Sequence, residues 1–210
     1  MGAQTFTTPT SNPHNALTFL LPILLLIFMS NMHTTLATSS SSSSQTYKTY
    51  VKTACNTTTY PLICYKSLSS YASKVKSDPH KLCTYALSVT LKAAKNASSV
   101  VSKLYKNTGL TPSEKGVVKD CIENIKDSID ELKQSVSSMS NLGVSGSDVQ
   151  LQLDDIKTWV SAVITDDATC TDGFDGVKVS TVVKTAIKNS VVNAARMASN
   201  ALSLIDSLIY

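Results

Sequence analysis

Apolar residues recur every three or four positions along four long segments of the chain, which is the spacing of one buried helix face. The first two stripes comprise Leu82, Ala86, Val89, Ala93, Ala97, Val100 and Leu104, and then Val118, Cys121, Ile125, Ile129, Leu132, Val136 and Met139. The last two comprise Leu153, Ile156, Val160 and Val163, and then Val183, Ile187, Val191, Ala194, Ala198, Ala201 and Ile205. The pattern predicts four amphipathic helices.

The segments between these stripes carry residues that start and end helices. Pro79 opens the first helix, and Thr111 with Glu114 three residues later predicts a capping box for the second. Ser145 or Ser147 is the predicted cap of the third helix. The helix-ending residues are Asn107-Thr108-Gly109, Asn141-Leu142-Gly143, and Gly173 with Gly176. Because short connections favour antiparallel neighbours, we predict an all-α fold, an antiparallel up-down-up-down four-helix bundle.

A smaller element precedes the bundle. Between Tyr47 and about Leu68, Cys55 and Cys64 stand on either side of Tyr60-Pro61. A turn signal between two cysteines predicts short helical pieces that fold back on each other and are cross-linked. We therefore expect an N-terminal α-hairpin packed on the bundle.

The first 45 residues differ in composition from the rest, since they contain no Lys, Arg, Asp or Glu. The apolar run from Leu17 to Met29 is too short to span a bilayer comfortably, and small residues follow near Ala37. We predict a secretory signal peptide over 1–37, with a buried helix or a membrane anchor as the alternative. The serine run after it predicts a flexible leader over 38–46, so the folded domain covers 47–210.

All five cysteines follow the apolar run, where an oxidising compartment makes pairing of four of them the default. At a rise of about 1.5 Å per residue from the turn near residue 109, Cys121 and Cys170 lie at about 18 and 10 Å, whereas Cys83 lies at about 39 Å. A disulfide tolerates a Cα separation of only about 7 Å. We predict a Cys121–Cys170 disulfide, by elimination Cys55–Cys64, and Cys83 as a buried free thiol.

Charge and glycosylation signals narrow the function class. The net charge of +4 comes from dispersed lysines and the single Arg196, a distribution that disfavours nucleic-acid binding. Asn56 and Asn96 begin N-glycosylation acceptor sequences, which agree with a secretory route.

No catalytic constellation is apparent. His80 is the one histidine after the predicted signal peptide, which excludes a histidine cluster for zinc and disfavours a Ser-His-Asp or Cys-His site. We interpret the acidic residues of the later helices as a solvated face: Asp127, Asp130, Glu131, Asp154, Asp155, Asp166, Asp167, Asp172 and Asp175. With no phosphate-binding glycine loop either, we expect a protein that is not an enzyme and needs no metal or cofactor.

Four segments together resemble the plant invertase and pectin methylesterase inhibitor family over about Tyr47 to Ile205. They are Cys55-Asn-Thr-Thr-Thr-Tyr-Pro-Leu-Ile-Cys64, the helix Lys119-Asp-Cys-Ile-Glu-Asn-Ile-Lys-Asp-Ser-Ile-Asp-Glu-Leu132, Thr158-Trp-Val-Ser-Ala162 with Asp167-Ala-Thr-Cys-Thr-Asp-Gly-Phe174, and Ser199-Asn-Ala-Leu-Ser-Leu-Ile205. The resemblance implies an N-terminal hairpin on a four-helix bundle with two disulfides, in agreement with the pairing above.

The resemblance also implies a function: stoichiometric binding, about 1:1, to a cell-wall enzyme whose active-site cleft is covered. Similarity of the segments around Trp159 and Cys170 to the pectin methylesterase inhibitor branch favours that partner over acid invertase, which stays the alternative. A folding-helper module for a fused esterase or a small-ligand carrier is a further alternative. The protein is expected to be secreted to the apoplast and cell wall, with no membrane in the mature form. The interface candidates are Asp127, Asp130, Glu131, Thr158, Thr171 and Asp172.

Overall fold

A computed structural model describes residues 2–3, 42–106, 109–143 and 148–208. The chain divides into two compact units, Met1–Gln45 and Thr46–Tyr210. Within the described residues the structure is helical and contains no strand, as predicted. The predicted signal peptide lies outside the described residues except for positions 2 and 3. None of the described helices is long and apolar enough to cross a membrane.

Helical structure begins earlier than expected. Residues 42–45 of the first unit are helical, and in the second unit α1 covers 46–55. The prediction of a flexible leader over 38–46 is therefore wrong for 42–46, while 38–41 lie outside the described residues. Serine is tolerated at a helix start because its hydroxyl can accept a hydrogen bond from a free backbone N–H.

The predicted hairpin is formed by α1 and α2, Pro61–Leu68. A 3₁₀ turn, Ser69–Tyr71, and the short α3, Ala72–Val75, follow it. A disulfide joins Cys55 at the end of α1 to Cys64 in α2, with their Cα atoms 5.5 Å apart. Pro61 suits the first position of α2 because that position needs no N–H donor.

Four long helices form the rest of the unit: α4 Pro79–Tyr105, α5 Pro112–Ser140, α6 Val149–Asp172 and α7 Thr181–Asp206. The Thr111–Glu114 capping box is confirmed at the start of α5. The cap of α6 is Asp148, whose carboxylate accepts from the N–H groups of the second and third helical residues, so the prediction of Ser145 or Ser147 is wrong. A carboxylate caps at least as well as a serine hydroxyl and also favours the positive end of the helix dipole.

Contacts between helix ends show that sequential neighbours run antiparallel. Nε2 of His80, at the start of α4, lies 2.6 Å from the carbonyl oxygen of Met139, at the end of α5. A disulfide connects Cys121 in the first third of α5 to Cys170 at the end of α6, with a Cα separation of 4.4 Å. These contacts fix α4 against α5 and α5 against α6 in opposite directions.

Two further contacts complete the up-down-up-down bundle. The ammonium of Lys157, early in α6, lies 3.2 Å from the carboxylate of Asp206, at the end of α7. Glu114, in the first turn of α5, accepts a hydrogen bond at 2.8 Å from the backbone N–H of Ser180, which precedes α7. Helices α5 and α7 therefore begin at the same end of the bundle.

The buried faces of α6 and α7 match the predicted stripes, but those of α4 and α5 are rotated slightly. In α4, Val100 is 37% exposed. Positions buried there that the sequence pattern missed are Leu87, Thr90, Ala94 and Val101, and in α5 they are Ser128 and Ser135. Small hydroxyl side chains fit the core because they bond to their own helix: Thr90 donates to Ala86 O at 2.8 Å and Ser135 to Glu131 O at 2.9 Å.

Candidate functional site

The interface candidates all lie on the α5–α6 pair of the bundle. The Cys121–Cys170 disulfide locks these two helices together near one end. Further along the pair, the Ser128 hydroxyl of α5 donates to Asp166 Oδ2 of α6 at 3.4 Å. The two helices therefore present their outward side chains on one rigid support.

Carboxyl groups meet where these helices pack. Glu131 of α5 and Asp166 of α6 meet here, and Asp127 of α5 lies close enough for its charge to raise the pKa of both. Asp167 lies deeper, with only 2% of its surface exposed. One oxygen each of Glu131 and Asp167 is buried and accepts no hydrogen bond from the described residues. Burying a carboxylate without donors penalises its charged form.

The electrostatics follow from this packing. Burial, followed by the charge of Asp166 and its hydrogen bond, raises the pKa of Glu131 to about 7. Burial is also the main reason why the pKa of Asp167 is raised to about 7, with a further contribution from Asp166. The pKa of Asp166 itself is raised by burial and by Asp127. The interpretation of these residues as a solvated face is therefore wrong for Asp167 and incomplete for Glu131 and Asp166.

The six interface candidates do not form one cluster. Asp127 and Glu131 share the carboxyl group cluster, and Asp130 lies beside them, exposed and paired with Lys133 at 2.7 Å. That ammonium lowers the pKa of Asp130. Thr158 is exposed on α6, where its hydroxyl donates to a carbonyl of its own helix at 2.8 Å.

The other two candidates lie at the α6–α7 side. Thr171 and Asp172 line a small pocket of about 150 Å³ together with Lys184 and Lys188 of α7. Thr171 and Asp172 therefore lie beside α7, apart from the carboxyl groups that meet between α5 and α6.

Charge is divided between the two sides of the bundle. Helices α4 and α7 pack against each other, as do α5 and α6. The basic residues of α4 and α7 are Lys81, Lys92, Lys95, Lys103, Lys184, Lys188 and Arg196, and Asp206 is their one acidic residue. Acidic residues predominate on α6 instead: it contains one basic residue, Lys157, and five acidic ones, Asp154, Asp155, Asp166, Asp167 and Asp172. Along the sequence the lysines are dispersed, so the sequence alone did not reveal this separation of basic and acidic helices.

Other residues singled out from the sequence have structural or surface positions. Cys83 is a buried free thiol, and burial raises its pKa to about 12. Asn56 and Asn96 are exposed, as acceptor asparagines must be. No group of three or more His, Cys, Asp or Glu side chains among the described residues is arranged to hold a metal ion.

Sequence reasoning missed the burial of Asp167 and the hydrogen bonds of Asn200. Asp167 falls on the predicted stripe of α6, four residues after Val163 and three before Cys170. Asn200 is 3% exposed, and its amide accepts from Tyr60 N–H at 2.8 Å and donates to Tyr60 O at 3.1 Å. Only the helical spacing could have indicated that Asp167 is buried.

Comparison with known proteins agrees with this architecture. The chain is 45% identical over 186 residues to Pectinesterase inhibitor 4 of Arabidopsis thaliana, covering 88% of this chain and 93% of that relative. It is 44% identical over 169 residues to Pectinesterase inhibitor 10 of the same plant, covering 80% of this chain and 54% of the longer relative. The crystal structure of a mutant form of a pectin methylesterase inhibitor from Arabidopsis has the same fold, with a TM-score of 0.59, 17% identity, and coverage of 74% of this chain and 94% of that one. Residues 49–204 match the family model described as plant invertase/pectin methylesterase inhibitor, and the chain belongs to that family.

Proposed function

We propose that this protein inhibits a pectin methylesterase by binding it stoichiometrically, about 1:1, and covering its active-site cleft. The observation that carries the proposal is the 45% identity, over nearly the whole chain, to a relative named as a pectinesterase inhibitor. The protein performs no chemistry of its own and needs no cofactor. Its role is to present a preformed surface, because a rigid surface loses little entropy on binding.

The α5–α6 outer face is the proposed binding surface. The disulfide between its helices and the packing of both against the bundle keep its side chains in fixed relative positions. Asp127 and Asp130 give this face a negative charge that attracts a complementary basic surface, and Glu131 adds a partly buried carboxyl group whose pKa is raised to about 7. Thr158, Thr171 and Asp172 extend it along α6 and toward α7.

The place where the protein acts depends on whether its N-terminal segment is a signal peptide. We propose that residues 1–37 are a signal peptide and that the mature protein acts in the apoplast and cell wall. The two disulfides support this route because they persist in oxidising compartments. N-terminal sequencing of protein secreted by plant cells tests it: the mature chain should begin near residue 38.

The experiment that tests inhibition is a titration of the purified mature protein against a plant pectin methylesterase and, in parallel, an acid invertase. We expect esterase activity to fall linearly to zero near one equivalent, with no loss of invertase activity. Loss of invertase activity alone would assign the protein to the alternative partner. No effect on either enzyme would refute inhibition as the function.

A further inference from the structure

A groove of about 450 Å³ lies between α4 and α7, on the opposite side of the bundle from the acidic helices, and residues of α2 and the 3₁₀ turn also line it. Its lining is mixed: apolar side chains that include Val89, Val100 and Met197 lie beside the amide and hydroxyl groups of Ser67, Ser70, Asn96, Asn189, Ser190 and Asn193. The ring of Tyr71 and the ammonium group of Lys92 also line it. Amides and hydroxyls supply both donors and acceptors, which is what the hydroxyl groups of a saccharide require.

The groove continues into a basic surface. A neighbouring depression of about 310 Å³ shares Asn189 and Asn193 with it and adds Lys188 and Arg196. Lys92, Lys188 and Arg196 are exposed, and none of the three forms an ion pair with another described residue. Three cations thus flank the shared amides, and one of them, Lys188, also lines the neighbouring pocket of Asp172 and Asp175.

The positions of the aromatic rings add to this arrangement. The guanidinium of Arg196 lies 5.5 Å from the ring centre of Tyr60, and the ammonium of Lys74 lies 6.0 Å from that of Tyr71. The contact with the Tyr60 ring holds the guanidinium of Arg196 in place, which limits the freedom that Arg196 loses when it binds an anion. We propose that the α4–α7 groove binds a carboxylated polysaccharide, with Lys92, Lys188 and Arg196 pairing with its carboxylates.

The choice of a de-esterified pectin chain as the ligand rests on the proposed function. Hydrolysis of a methyl ester leaves a carboxylate, so the product of a pectin methylesterase is a polyanionic galacturonate chain. An inhibitor that binds this product through α4–α7 keeps its α5–α6 face free for the enzyme. A nucleic acid fits less well, because the groove has one wall ring and a single Arg beside it rather than an arginine cluster with interleaved aromatics.

The test is a calorimetric titration of the full mature chain, without esterase, with galacturonate oligomers and with the same oligomers fully methyl-esterified. A glycan on Asn96 would occupy the groove, so the titration uses Ser98→Ala protein, which keeps the asparagine but lacks the acceptor sequence. We expect the charged oligomer to bind, with an affinity that decreases as salt increases, and the esterified oligomer not to bind.

A pair of matched variants locates the site. Replacing Lys92, Lys188 and Arg196 with Gln should weaken binding by about tenfold or more, because each loses a charge-assisted hydrogen bond. Replacing Lys119, Lys126 and Lys133 of α5 with Gln removes the same charge from the other side and should retain binding. Both variants should melt as folded proteins.

The proposal would be overturned if the protein without the Gln substitutions did not bind galacturonate oligomers. It would also be overturned if both triple variants lost the same amount of oligomer affinity. Equal affinity for duplex DNA of similar charge would overturn its saccharide part, because it would show adsorption to any polyanion. Failure of inhibition with retained oligomer binding would refute the proposed function alone, since the oligomer titration contains no enzyme.

Discussion

Asp167→Asn should remove one cause of the decrease in folding stability that accompanies a rise in pH. Asp167 is buried, one of its oxygens has no hydrogen-bond donor among the described residues, and its pKa is raised to about 7. In the unfolded chain the same carboxyl group titrates near its ordinary value of about 3.9. Between about pH 4 and pH 7 the folded protein therefore holds a proton that the unfolded chain has lost.

The sign and size of the effect follow from this difference. Because the folded state binds more protons in that window, stability decreases as pH rises from about 4 to 7 and changes little above it. A shift of about three pKa units corresponds to about 4 kcal/mol at 1.36 kcal/mol per unit. For a domain of this size that is a melting temperature difference of about 10 °C.

The assay is thermal unfolding of wild type and Asp167→Asn at intervals from pH 4 to pH 8. The melting temperature of the variant minus that of wild type should increase by about 10 °C from the lowest to the highest pH. The new amide can also change this difference by a constant amount at every pH, which does not affect the expected increase. Asp155→Asn makes the same substitution at an exposed position on the same helix and serves as the matched control. Parallel curves for wild type and Asp167→Asn would refute the buried carboxyl group as the cause.

Three further predictions concern the junction between the hairpin and the bundle, the hydrogen bonds of Asn200, and the free thiol of α4. Lys76→Gly should stabilise the protein to chemical denaturation by about 1 kcal/mol, because Lys76 adopts φ 58° and ψ −120°, a conformation that favours glycine, whereas Lys74→Gly in α3 should destabilise it. Asn200→Ala should cost about 1–3 kcal/mol in the same measurement, since it removes both hydrogen bonds to the Tyr60 backbone, and an unchanged denaturation midpoint would contradict that role. A thiol reagent at pH 8 should leave Cys83 unmodified in the native protein and find one thiol per chain in denaturant; rapid native modification would contradict its burial, and more than one thiol would contradict the two disulfides.

The fold was largely predictable because the helix periodicity and capping residues agree with each other. Apolar spacing identified all four long helices, and the levels of the cysteines along them gave the pairing that the structure contains. The errors arose where the buried face includes polar side chains. Thr90, Ser128 and Ser135 occupy core positions at regular three- and four-residue spacing, but a search for apolar residues alone selects their neighbours instead.

The candidate site was less predictable, for a physical reason. Sequence shows which carboxyl groups lie on α5 and α6, but the pKa of Glu131 depends on Asp166 from another helix, and packing alone sets that distance. The division of charge between α4–α7 and α5–α6 likewise depends on which helices are neighbours. The net charge of +4 combines the basic and acidic sides and therefore conceals the difference between them.

Inhibition assays with charge variants decide whether the acidic outer face of α5 and α6 is the surface that binds and inhibits a pectin methylesterase. Asp127→Ala with Asp130→Ala should raise the concentration needed for half inhibition by about tenfold while leaving the melting temperature unchanged, because both side chains are exposed. Asp206→Ala removes an exposed acidic charge at the end of α7, away from Asp127 and Asp130, and should inhibit like wild type. Equal inhibition by wild type, the double variant and Asp206→Ala would contradict the assignment of this face.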